Sequence, residues 1–234
     1  MTSHFHGARD FQVDRLKIVT NTVSSSSAVS PLKDLESYIA PEAIYDSAER
    51  CDAPKCHPET RIAVQGDLYG WIRHGDADNP SKMKWVTGPA GTGKTAIMGS
   101  LSERCDREGF LGASFFFSST GSIGRRRKTA FVMTIAYQLA QHWQVLKDAI
   151  AEAIEESPIV FKKNLHVQME TLLLAPLRKV AGDPNGSELR GVIMVDGLDE
   201  CEAEQYGLDS DSPKPRTQPI LQRTRPVGNS ASFA

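Results

Sequence analysis

A glycine-rich run at residues 88–95 is the part of the sequence whose residue types and spacing most clearly predict chemistry. It reads Gly-Pro-Ala-Gly-Thr-Gly-Lys-Thr and matches the pattern G-x-x-x-x-G-K-[ST] at every fixed position. Glycines let a backbone curl closely around a phosphate, so that successive N–H groups point at one anion. A helix N-terminus directly after such a loop adds its partial positive charge. We therefore expect nucleotide phosphates to bind at Gly88, Pro89, Ala90, Gly91, Thr92, Gly93, Lys94 and Thr95.

Side chains of this loop and of a second, acidic cluster predict a metal-dependent reaction. Lys94 would reach the β- and γ-phosphates as a point charge, and the Thr95 hydroxyl would ligate Mg²⁺. Far downstream, the apolar run 192–195 is followed by Asp196, Asp199 and Glu200. Asp196 would hold Mg²⁺ directly or through water, and Glu200 or Asp199 could activate the attacking water as a general base. The alternative is that these acids are simply solvated at the end of a strand.

The elements around these motifs predict an α/β fold. Short apolar runs at 82–87, 112–117 and 192–195 are typical of strands, and the last two do not alternate, which indicates burial on both faces. Helices are predicted at 60–74, from the glycine-rich loop to about residue 107, at 128–142, onward to Pro158, and at 164–180. Strands separated by helices indicate a parallel sheet covered on both sides.

Composition and the positions of proline-, glycine- and serine-rich stretches divide the chain into four segments. We expect a flexible N-terminal leader over 1–30, a helical lead-in over 31–80, a core over 81–205 and a disordered tail over 206–234. The lead-in should begin with a short helix whose apolar face carries Leu32, Leu35 and Ile39.

The overall charge and apolar pattern exclude several function classes. With 27 basic and 29 acidic residues the formal net charge is −2, which argues against a nucleic-acid binder driven by bulk charge. The basic run at 125–128 is expected to be a solvated loop. No apolar stretch is long enough to span a membrane. The four dispersed cysteines fit free thiols in a reducing compartment, and we expect a cytoplasmic location.

The two motifs together resemble the NACHT group of signal-transduction P-loop NTPases, as found in fungal NOD-like receptor proteins. Residues 88–95 resemble the Walker A loop, Asp196 the Walker B acid, and Asp199 with Glu200 the extra acidic pair of NACHT sequences. The resemblance spans about residues 35–205, with further similar segments at 56–72, 112–119 and 129–140. It implies a three-layer P-loop NTPase core with a parallel sheet flanked by helices. It also implies Mg²⁺ and ATP or GTP as ligands, and adenine-side contacts beginning at residues 57–61.

The resemblance stops after the Walker B run, where NACHT proteins continue into a further strand that carries a sensor residue. We therefore expect a family member truncated after Walker B, or a gene-model artefact with an unrelated tail. In this class of fold the further strand lies between the Walker A and Walker B strands. Without it, a slot of about 4.8 Å separates the two halves of the site. The sheet must close that slot, recruit another segment or stay incomplete at its C-terminal side.

Three functions follow from these features. The first is a nucleotide-binding switch with slow hydrolysis, coupled to signalling or oligomerisation through self-association or other signalling proteins. The second is a non-catalytic nucleotide-binding or interaction module, inactive because the sensor strand and later subdomains are missing. The third, a P-loop kinase or other transferase, is less favoured because no acceptor-site signature is apparent.

Overall fold

The computed structural model describes residues 31–75, 83–182 and 189–202. In these residues, helices pack against one small sheet of two strands. The strands are β1, Leu111–Phe116, and β2, Val192–Asp196. The helices are α1 Pro31–Glu36, α2 Ile62–His74, α3 Lys94–Arg107, α4 Lys128–His142, α5 Gln144–Glu156, α6 Leu165–Met169 and α7 Ala175–Ala181, and a π-helical stretch, Glu170–Leu174, joins the last two. The predicted leader, 1–30, and tail, 206–234, lie outside the described residues.

The two strands form a parallel pair, and this pairing sets the edge at which the acidic cluster lies. Phe116, the last residue of β1, is the register partner of Asp196, the last residue of β2. The Phe117 N–H extends the ladder by donating to the Asp196 carbonyl at 2.9 Å. Because carboxyl ends of parallel strands meet at one edge, the loops that follow β1 and β2 are brought together there.

Helix α4 covers one face of the sheet and forms the larger part of the core. Phe115 and Phe117 point toward it and contact Phe131 of α4, with ring centroids 5.3 and 5.8 Å apart. Helices α1, α5, α6 and α7 extend this cluster, in which Leu35, Leu146 and Leu172 are fully buried. The apolar residues that recur along α4 thus face the sheet, as their spacing predicts.

Helix α3 covers the other face with a smaller cluster. Leu101 and Cys105 of α3 and Met194 of β2 are buried there, and Leu68 of α2 packs against them. The Ser102 hydroxyl, also buried, contacts the Met194 sulfur at 3.1 Å. This arrangement places the N-terminal end of α3, and with it the glycine-rich loop, beside the acidic edge of the sheet.

Most predicted elements are confirmed, with small shifts of their ends. The helices predicted at 60–74 and 128–142 are α2 and α4, and the helix predicted beyond 142 restarts as α5 after Trp143. The helix predicted at 164–180 becomes π-helical before Pro176. Because proline lacks an N–H, it cannot close the regular hydrogen bond one turn back, and such sites commonly distort a helix.

The strand predicted at 82–87 is wrong for the residues that the structure describes. Residues 83–89 adopt no strand, and the described sheet contains only β1 and β2. Trp85 is 70% exposed and Met83 is 62% exposed. An apolar run becomes a strand only where a neighbouring strand supplies backbone hydrogen-bond partners. In the described sheet β1 and β2 pair with each other, and neither pairs with residues 83–89. The described fold is therefore α/β, mostly helical, with a two-stranded sheet, and the complete three-layer core is not shown.

Candidate functional site

The glycine-rich loop leads directly into α3 through left-handed backbone. Gly91 and Gly93 have φ angles of 78° and 83°, which side chains other than glycine rarely tolerate. Helix α3 begins at Lys94, so the N–H groups of its first turn lack helical acceptors and face the loop. The Lys94 ammonium donates to the carbonyls of Gly88 at 2.8 Å and Pro89 at 3.1 Å. The loop therefore concentrates positive charge at a concave backbone.

The structure brings Thr95 and Asp196 together, although 100 residues separate them in the chain. The Thr95 hydroxyl lies close enough to the Asp196 carboxylate to lower the pKa of that acid. Burial raises the pKa of Asp196, and the nearby Thr95 hydroxyl and the positive charge of Arg50 counteract this in part. A hydroxyl and a carboxylate are hard oxygen ligands, and Mg²⁺ is usually held by one or two carboxylates together with substrate phosphates. The pair therefore fits the magnesium position predicted from the sequence.

No larger metal cluster competes with this pair in the described part of the chain. Groups of three or more His, Cys, Asp or Glu side chains that could hold a metal do not occur among the described residues. A metal bound at Thr95 and Asp196 would need oxygen ligands from outside the protein, which nucleotide phosphates and water supply.

The two acids after Asp196 differ in their surroundings. Both lie in a 3-10 turn, Leu198–Glu200, and both are exposed. The Glu200 carboxylate accepts from the Ser119 N–H at 2.8 Å and from the Ser119 hydroxyl at 2.9 Å. Glu200 is therefore anchored to the loop after β1, whereas Asp199 is directed into solvent. Ser119 was not predicted as a site residue, since a serine after an aromatic strand carries no distinctive signal.

A buried arginine adjoins the acidic edge. Arg50, in a 3-10 turn of the lead-in segment, is 7% exposed, and its guanidinium carbon lies 3.6 Å from the centroid of the Phe116 ring. Its Nε has no hydrogen-bond partner within the described residues. Burial and the charge of Arg125 lower the pKa of Arg50 to about 10, and Asp196 opposes that shift. A lone arginine in a polar segment gave no sequence signal of this position.

The prediction that the basic run is a solvated loop is wrong, because two of its arginines contact the edge of the sheet and the loops beside it. Arg125 is buried, donating from Nε to the Phe116 carbonyl at 3.1 Å and pairing with Glu49 at 3.1 Å. Arg126 donates to the Gly121 carbonyl and pairs with Glu202 at 3.2 Å. Arg127 is exposed, as expected. The two inner arginines satisfy backbone carbonyls and carboxylates, which is why they turn inward.

One comparison with known proteins identifies the chain. The family described as nephrocystin 3, N-terminal, matches residues 67–211, which is more than half of the sequence. The chain belongs to the nephrocystin 3 N-terminal family. This family is related to the NACHT-type P-loop NTPase region, which agrees with the resemblance of the two motifs. Neither the curated proteins nor the solved structures contain a match to the chain.

The matched region of this nephrocystin 3 N-terminal family member contains the glycine-rich loop and all three acids. Arg50 and residues 57–61 precede it. Of that second group, Arg61 lies against the loop, because a Cβ added to Gly93 would approach its guanidinium to 3.1 Å. Arg61 itself has a φ of 57°, a strained conformation for a side chain other than glycine. The described residues contain no helix long and apolar enough to cross a membrane.

Proposed function

We propose that this protein is a nucleotide-binding switch of the NACHT type, which binds Mg-ATP or Mg-GTP and hydrolyses it slowly. The observation that carries the proposal is the closeness of the Thr95 hydroxyl to the Asp196 carboxylate, whose pKa it lowers. It places the last residue of the glycine-rich loop beside the acid at the end of β2, and both are oxygen ligands suited to Mg²⁺. Membership in a family related to NACHT-type NTPases supports the same function.

Each residue of the loop and the acidic edge has a distinct role in this proposal. The N–H groups of residues 88–95 bind phosphate oxygens, and Lys94 exchanges its two carbonyl contacts for the β- and γ-phosphates. Thr95 and Asp196 hold Mg²⁺, which neutralises charge that develops on the phosphates. Glu200, or else Asp199, accepts a proton from the attacking water.

The contacts of Glu200 favour slow turnover. Its carboxylate oxygen already accepts two hydrogen bonds from Ser119, so taking a proton from water requires that these bonds be weakened or rearranged. A switch needs a bound triphosphate that persists long enough to select one conformation. That conformation can then associate with itself or bind a signalling protein.

A second function is supported by the incomplete sheet. Residues 83–89 form no strand, and of these residues only Val86 is partly buried, where it packs against the α3 cluster; the N-terminal side of the glycine-rich loop is therefore weakly supported. Such a loop could bind nucleotide without holding the geometry needed for hydrolysis. This alternative is a non-catalytic nucleotide-binding or interaction module, and only a turnover measurement separates it from the switch.

A thermal melt of the full chain with and without Mg-ATP or Mg-GTP tests binding. At about a hundred times Kd, a ligand should stabilise the protein by about 2.7 kcal/mol, or roughly 5–10 °C for a chain of this size. Lys94→Ala should lose this shift, because the ammonium that faces the phosphates is gone. Lys162→Ala is the matched control, since Lys162 is an exposed lysine in a distant 3-10 turn. Equal shifts in wild type and Lys94→Ala would contradict the proposal.

Release of inorganic phosphate then separates the two functions. The switch predicts slow release that Glu200→Gln reduces further while nucleotide affinity is kept. The non-catalytic module predicts binding without release above the Lys94→Ala background. Asp199→Asn tests the other candidate base in the same turn, and a larger loss of phosphate release there than in Glu200→Gln would assign the proton acceptor to Asp199.

A further inference from the structure

Arg50 lies at the meeting point of the elements that build the proposed metal site. Its guanidinium covers the ring of Phe116, and Phe116 is the register partner of Asp196. On another side, its Nη2 lies 3.9 Å from the position that a Cβ of Gly99 would occupy. Gly99 follows Thr95 by four residues in α3, so it is one turn along the same helix face. The guanidinium therefore lies behind Thr95 and Asp196, one helical turn deeper in the fold.

Among the charged groups that act on Arg50, Asp196 is the one of opposite sign. Removing an arginine from water is costly unless an anion or hydrogen-bond acceptors compensate it, and here Nε has no acceptor within the described residues. Arg125 repels it, and Arg125 already pairs with the neighbouring Glu49. Phe116, whose ring Arg50 covers, is the register partner of Asp196, and the charge of this carboxylate opposes the fall in the pKa of Arg50.

The lead-in segment is fastened so that Arg50 keeps this position. Glu49 accepts from the Ser122 N–H at 3.1 Å as well as from Arg125. Glu42 accepts from the Ser122 hydroxyl at 2.9 Å. These contacts tie the 3-10 turns Pro41–Ala43 and Ala48–Arg50 to the loop between β1 and α4, whose Ser119 also anchors Glu200.

We propose that Arg50 is a built-in counter-charge of the metal site, stabilising the Asp196 carboxylate when the metal is absent and competing with Mg²⁺ for it. This inference rests on the proposed function and names a positioning residue for it. Two cations beside one carboxylate repel each other, so Mg²⁺ alone binds poorly. Nucleotide phosphates bring the negative charge that offsets this repulsion. The protein should therefore take up the metal together with the nucleotide.

The test is the free Mg²⁺ concentration that gives half-maximal binding of a fluorescent ATP analogue. Arg50→Met removes the charge but keeps an unbranched apolar chain over Phe116, and it should lower this concentration roughly tenfold. Arg50→Lys keeps the charge and should stay within about threefold of wild type. A loss of structure alone would weaken binding and could not lower the Mg²⁺ requirement.

Arg104→Met is the matched control for loss of an arginine that covers an aromatic ring. Arg104 lies over Tyr69 at 3.4 Å and pairs with Glu108, near the other end of α3. Its removal should leave the Mg²⁺ requirement unchanged. An unchanged or higher requirement in folded Arg50→Met would overturn the inference while leaving the proposed function intact.

Wild-type protein supplies an independent test that does not depend on the variants folding. Mg²⁺ alone, at a concentration that saturates binding in the presence of the ATP analogue, should leave the melting temperature unchanged. A shift with Mg²⁺ alone would overturn the inference. If wild type binds no nucleotide at any Mg²⁺ concentration, the proposed function itself fails and the inference fails with it.

Discussion

The two faces of the sheet are packed to different degrees. On the α4 face, three phenylalanine rings have centroids 4.6–5.8 Å apart, and five helices contribute residues to the core cluster that contains them. On the α3 face the buried cluster is smaller, and Trp85 and the first half of the glycine-rich loop, residues 88–91, are exposed. The comparison indicates that the α4 face supplies most of the stability. The α3 face is left free to respond to a ligand, as binding regions commonly are.

Two isoleucines on opposite faces give the largest expected effect. Ile135 of α4 and Ile97 of α3 are both buried, at 1% and 4% exposure. We expect Ile135→Ala to cost about 4 kcal/mol and Ile97→Ala about 2 kcal/mol, because the looser surroundings of Ile97 can relax into the cavity. Urea unfolding followed by circular dichroism measures both. An equal or larger cost at Ile97 would break the comparison.

The basic run gives a smaller effect at the edge that joins the two faces. Arg125→Met should cost about 2 kcal/mol, since the Phe116 carbonyl and Glu49 lose a charged donor. Arg127→Met should change the free energy of unfolding by less than about 0.5 kcal/mol, because Arg127 is exposed. The same unfolding measurement distinguishes them. Similar free energies of unfolding for both variants would mean that the contacts of Arg125 do not stabilise the edge of the sheet.

The residues that precede α6 and α2, one helix on each face, give the smallest expected effects on stability. Asn164 caps α6, where its side chain accepts from the Val167 N–H at 3.0 Å, so Asn164→Ala should cost about 1 kcal/mol. Arg61 precedes α2 with a strained φ of 57°. Arg61→Gly should therefore be about 1 kcal/mol more stable than Arg61→Ala, in which the strain remains. Thermal melts of the three variants test this, and an Arg61→Ala variant as stable as Arg61→Gly would show that no strain is stored there.

Prediction from the sequence worked best where local pattern and burial coincide. The apolar residues of α4 recur every four positions, and this spacing requires a helix wherever the chain folds. The glycine-rich loop was located correctly at the start of α3, because its glycines and the helix after it are local features. The strand predicted at 82–87 was wrong, since a strand depends on a partner that periodicity does not reveal.

The polar residues around the acidic edge were the hardest to predict. Nothing in the sequence distinguishes Arg125 from Arg127, yet one is buried and the other exposed. Arg50 and Ser119 become part of the site only because the lead-in segment and the loop after β1 fold onto one edge. Such contacts join residues far apart in the chain, and their partners follow from packing rather than from spacing.

The sequence by itself determined the residue types that this protein can use. A glycine-rich loop with Lys94 and Thr95, and an apolar run ending in Asp196, are local patterns whose chemistry follows from backbone freedom and charge. Only the tertiary structure decided which of these groups meet. Parallel pairing of β1 with β2 brings Glu200 to Ser119, packing of α3 against the sheet brings Thr95 to Asp196, and folding of the lead-in segment places Arg50 behind them. The physical reason is that distant groups are placed by burial of the faces of the sheet, which no local pattern encodes.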